Sequence, residues 1–115
     1  MLKGAIYEKS MEFAIRIVKL SEYLQSEKQE HVMSKQVLRS GTSIGANVRE
    51  ASYGQSKKDF TSKMSIALKE LSETEYWLEL LTRTEYITTE QYDSIKKDCS
   101  EVAKLLISIV KTSKE

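Results

Sequence analysis

The strongest constraint in this chain is a helical period that returns four times and is never cut by a proline. Apolar residues spaced three and four apart line one face of an α-helix. In the first segment Ile6, Phe13, Ile17, Leu20 and Leu24 keep that spacing, and Ala14 and Val18 widen the stripe. The segment stops near Ser26; Glu27 to His31 holds no apolar residue and reads as a connection. The second opens at Ser34, a good N-cap residue, and continues through Val37, Gly41, Ile44, Val48 and Ala51. It is predicted to end around Tyr53-Gly54, with glycine as the C-terminal punctuation. The third starts at Ser56, with Asp59 three residues on, and alternates fours and threes through Phe60, Met64, Ala67, Leu71, Thr74, Leu78 and Leu81. The fourth begins at Thr88, whose spacing to Gln91 is that of a capping box. Its stripe is Tyr92, Ile95, Cys99, Val102, Leu106 and Ile109, with Ala103, Ile107 and Val110 alongside.

Four amphipathic helices with short connections fold most simply as an all-α, up-down-up-down four-helix bundle. The 115 residues suit one domain, residues 1–115, and only four glycines with no proline exclude a turn-rich β sandwich or barrel. Burying each Leu, Ile or Phe contributes roughly 1.5–3 kcal/mol, most of it offset by chain entropy. Stability therefore depends on the stripes facing one another. Charge comes early at Lys3, Glu8 and Lys9, and no apolar run nears the ~18–20 residues of a spanning helix. A cytoplasmic protein without a membrane partner is expected, in keeping with one free cysteine.

One stretch breaks the local rules. Ser40-Gly41-Thr42-Ser43-Ile44-Gly45 lies inside a helical pattern although nearly every residue is a poor helix former. Interior glycines cost about 1 kcal/mol each relative to Ala. Close approach of a neighbouring helix at Gly41 and Gly45 would offset that cost. A phosphate-cradling loop needs its glycines before a helix and a following Lys, and neither is present. Beside the apolar stripe runs a polar one, Gln36, Arg39, Ser43, Asn47 and Glu50. It reads either as a solvated helix face or as a hydrogen-bonded network at a contact between chains. Arg39 and Glu50 are three turns apart and need other partners; Asn47 borders the apolar stripe and is the member expected to be most buried.

Residues Gln36 to Ala51 resemble the signature of the 23S rRNA-intervening-sequence protein family. Its pattern, a Gln, an Arg three residues on, then Ser-Ile-x-x-Asn-x-x-Glu, is matched by Gln36, Arg39, Ser43, Ile44, Asn47 and Glu50. Ser56 to Phe60, Ile66-Ala67-Leu68 and Glu73-Thr74-Glu75 extend the likeness. Many members have Pro where Gly45 stands and Gly where Ala51 stands, which bears on the bend of this helix. The resemblance implies a small four-helix bundle that assembles into a ring, typically a pentamer, with no enzymatic activity. A similar protein, the accessory variability protein of diversity-generating retroelements, binds nucleic acid and a reverse transcriptase.

Catalysis has little to work with. His31 sits in a polar connection and Cys99 on an apolar stripe, so zinc sites and internal disulfides are not expected. Ser94 and Lys97 match a Ser-x-x-Lys pattern whose companion motifs are absent. No cofactor and no small-molecule substrate are expected. The net charge is +1, yet Ser34 to Lys63 carries +4 and Glu70 to Glu90 carries −5. Within the basic segment, Lys35, Arg49, Lys57, Lys58 and Lys63 are the candidate nucleic-acid contacts. The low net charge and sparse aromatics favour weak binding by the isolated protein.

The third helix has a second apolar line, Ile66, Trp77 and Leu80, about a third of a turn from its core stripe. With Arg39, Ser43, Asn47 and Glu50, a polar patch on a different helix, it makes up the candidate oligomer interface, two unlike patches that suit a head-to-tail contact. Three functions stand open: an oligomeric scaffold or adaptor in an RNA or nucleoprotein setting, a direct nucleic-acid binder, and a small ligand-binding or catalytic bundle. The stripes offer the last almost no convergent polar groups.

Overall fold

A computed structural model describes residues 4–115. Four helices follow in order: α1 Ala5–Glu27, α2 Met33–Ala51, α3 Lys57–Arg83 and α4 Thr89–Lys114. Each packs on two neighbours, α1 on α2 and α4, α3 on α2 and α4, so the bundle is four-cornered and measures 44 × 20 × 19 Å. Short connections reverse the chain three times, as the up-down-up-down reading requires. The stripes meet in one core, where Phe13, Ile17, Ile44, Val48, Met64, Leu78, Val102 and Leu106 are fully buried.

Two expected caps are present. Ser56 Oγ accepts the Asp59 N–H at 3.0 Å. Thr88 and Gln91 form a reciprocal box, with bonds of 3.1 and 2.8 Å. The cap of α2 needs correction. That helix starts at Met33, and Ser34 lies buried in its first turn with its hydroxyl unpartnered among the described residues. The capping group is Glu30, whose carboxylate accepts N–H bonds from Val32, Met33 and Ser34 at 3.1, 3.0 and 2.7 Å. Burial alone would raise the Glu30 pKa; the three donors outweigh it and hold the pKa below the ordinary carboxylate value.

Gly54 is likewise not a left-handed C-cap. Helix α2 ends at Ala51, and among the described residues the non-glycine positions with positive φ are Gln29 and Glu85, at 55° and 66°. Glu85 closes α3 in a Schellman motif: the Tyr86 N–H reaches the Leu81 carbonyl at 2.9 Å and the Glu85 N–H that of Thr82 at 3.0 Å. Other expectations shift at the margins of the core. Phe60 is only half-buried, near the start of α3, and Val18 and Ile107 stand on outer faces. Ile87, in the α3–α4 connection, is buried and plugs the end of the bundle.

The irregular stretch of α2 is explained by close packing. A Cβ at Gly41 would lie 2.8 Å from both γ-carbons of Ile17, so α1 occupies the space a side chain would need. At Gly45 the nearest atom, the Ser10 carbonyl oxygen, would be 3.4 Å away. On the other side of α2 the buried hydroxyls of Ser40 and Thr74 lie 2.9 Å apart, tying α2 to α3.

Candidate interaction surface

Helix α2 presents its polar stripe toward α3, and the stripe finds its partners there. Arg39 pairs with Glu70 at 3.3 Å and with Glu73. Glu73 also accepts the indole N–H of Trp77 at 3.0 Å. Hydrogen bonding from Arg39, then from Trp77, lowers the Glu73 pKa, and Glu73 in turn raises that of Arg39. Glu50 pairs with Lys63 at 3.0 Å. Ser43 Oγ donates to the Arg39 carbonyl at 2.7 Å, and the Asn47 amide to the Ser43 carbonyl at 2.8 Å. The partners that Arg39 and Glu50 need are thus supplied within the chain, and Asn47 is half-buried.

Ile66, Trp77 and Leu80 lie on the same flank of α3, toward α2. Ile66 is 37% exposed; Trp77 and Leu80 are half-buried. Trp77 packs against the core, and its ring meets Tyr76 edge-on at 5.0 Å. The polar stripe and the apolar line therefore form one continuous face across the α2–α3 seam, rather than two separate patches.

The basic residues of the second and third segments do not form one patch. Lys35 sits at the N-terminal end of α2, the far end of the bundle from Lys57 and Lys58. Lys63 is taken by Glu50, and Arg49 turns to α1, hydrogen-bonds the Tyr7 hydroxyl and lies 5.0 Å over its ring. Topology produces a different grouping. The ends of α2, α3 and α4 bring Arg49, Lys57, Lys58, Lys111 and Lys114 to one end of the bundle. Glu22, Glu27, Glu79, Glu85 and Glu90 gather at the other. Charges of the other sign stand among both groups, Glu50, Asp59 and Glu115 with the first and Lys28, Lys35 and Arg83 with the second, so the contrast seen along the chain is diluted along the long axis. Pooling the α4 lysines with the others needs the helix order, which composition by segment does not carry.

Another surface was missed by periodicity. On the outer side of the α1–α2 seam, Met11, Ile15 and Val18 are 43, 51 and 39% exposed. Beside them a groove of about 410 Å³ runs between Tyr7, Met11 and Ala14 of α1 and Gly45, Ala46 and Arg49 of α2. The three-four spacing of Met11, Ile15 and Val18, set off from the main stripe, is the signal that marks it.

Burial pushes the Cys99 thiol pKa up to about 12, with a further push from Glu75. Ser94 Oγ accepts a 2.5 Å bond from Arg16, and His31 is exposed.

A family model described as 23S rRNA-intervening sequence protein matches residues 3–108. The chain belongs to that family. A solved structure from Bacteroides thetaiotaomicron, described as a protein of unknown function from the S23 ribosomal protein family, is 64% identical. The match covers 93% of this chain and 99% of that one, with a TM-score of 0.92. Among curated proteins nothing matches. The intervening-sequence family description names no reaction. Among the described residues no helix is long and apolar enough to cross a membrane.

Proposed function

We propose that this protein is a non-enzymatic subunit that assembles with copies of itself into a closed ring and acts as a scaffold or adaptor in an RNA or nucleoprotein setting. The observation that carries this reading is the apolar surface left on the outer faces of α1 and α3: Met11, Ile15 and Val18 on one, Ile66 beside Trp77 on the other. Rows of branched and aromatic residues at helical spacing fit burial against another protein. A ring of five is what the family resemblance implies. The decisive experiment is multi-angle light scattering at micromolar concentration. A mass of about five chains is expected; a clean monomer mass rejects the reading, and a dimer rejects the ring.

A second reading, direct nucleic-acid contact, is favoured by the lysines at one end of the bundle. Lys57, Lys58 and Lys114 surround a shallow depression with Thr61, Ser62 and Ser113. Phosphate contacts there would make binding fall steeply with salt. The test is retention on immobilised RNA as salt is raised, for the wild type and for a Lys57→Glu, Lys58→Glu double variant. Equal elution of both proteins removes this reading.

A further inference from the structure

We draw no further inference here: the strongest candidate, the apolar groove between α1 and α2 beside Met11, Ile15 and Val18, belongs to the surface that the ring reading already uses, and nothing in the structure shows what else covers it.

Discussion

Along α1 the seam with α2 is lined by Ser10, Ser21, Gly41 and Gly45, whereas the seam with α4 carries the pairs Lys9–Glu101 and Arg16–Asp98 at 3.4 and 2.7 Å. The two seams hold the same helix by different physics. On the α2 side the Ile17 side chain fills the space over Gly41 and leaves no room for a methyl group there, and Ser21 Oγ donates across the seam to the Ser34 carbonyl at 3.0 Å. On the α4 side long charged side chains bridge a wider separation near solvent. A steric seam fixes position and tolerates little change. An ionic seam near solvent adds modest energy and tolerates much. The contrast also shows how α2 survives its poor composition: packing against α1 and α3 outweighs weak intrinsic propensity.

Gly41→Val breaks the steric seam most directly. The new side chain would meet the γ-carbons of Ile17, which branch at Cβ and cannot swing away. Overpacking of this kind costs about 1–3 kcal/mol, and this case belongs at the upper end. Urea unfolding should show a lowered midpoint. Combining it with Ile17→Ala, which vacates the space, should cost less than the sum of the two single variants. Simple additivity would mean that the two residues do not compete for the same volume.

The entry to α2 gives the next largest effect. Glu30 is 8% exposed and accepts three backbone N–H bonds, so Glu30→Ala should cost roughly 1–2 kcal/mol, in the range of lost caps. Its pH dependence has a definite sign. A carboxylate whose pKa is lowered in the folded state contributes stability that is complete above its unfolded pKa. That contribution is lost as pH falls through the lower, folded pKa. The stability gap between wild type and Glu30→Gln should therefore narrow on acidification through the carboxylate range and be flat above it. A gap that widens with acid would show that the charge is not what the cap uses.

Gly45→Ala separates the two glycines of the same seam. A Cβ there would sit 3.4 Å from the Ser10 carbonyl oxygen, at the edge of ordinary contact, so the helix-propensity gain of up to about 1 kcal/mol should be largely kept. A melting temperature equal to or above the wild type is expected. A clear loss would place Gly45 in the same steric class as Gly41.

These sites also mark how far a sequence can be read. The core stripes and the architecture were legible because burial leaves a repeating pattern in the local chain. The close approach at Gly41 was legible as an anomaly, a poor helix former kept inside a helix. The Glu30 cap was not, because an acid in a polar connection looks the same whether it is solvated or bonded to a helix end. Nor was the closure of α1 and α3 by Gln29 and Glu85, residues that take a left-handed conformation usually given to glycine. The partners of Arg39 and Glu50 lay outside local reasoning, since Glu70, Glu73 and Lys63 come together with them only across the α2–α3 turn. Of the apolar row of α1, Val18 was absorbed into a widened core stripe and Met11 and Ile15 were left unassigned, because periodicity alone does not say where the core ends and a second face begins.

The smallest effect belongs to the ionic seam, and it completes the comparison. Arg16 reaches Asp98 at 2.7 Å and also donates to the Ser94 carbonyl at 3.1 Å, which is good geometry for a surface pair. Its side chain is 36% exposed and that of Asp98 47%, so water and salt screen the attraction and ordering two side chains offsets much of it. An Arg16→Ala, Asp98→Ala double-mutant cycle should give a coupling of roughly 0.2–1 kcal/mol at low ionic strength. Raising the salt to about 1 M should remove most of it. The hydrogen bonds to Ser94 do not involve Asp98, so Arg16→Ala should cost more than Asp98→Ala by whatever those bonds contribute. A coupling of several kcal/mol that persists in salt would mean that the α1–α4 seam is as dry and exacting as the α1–α2 seam. The steric account of why only one of them is built from glycine and serine would then have to be abandoned.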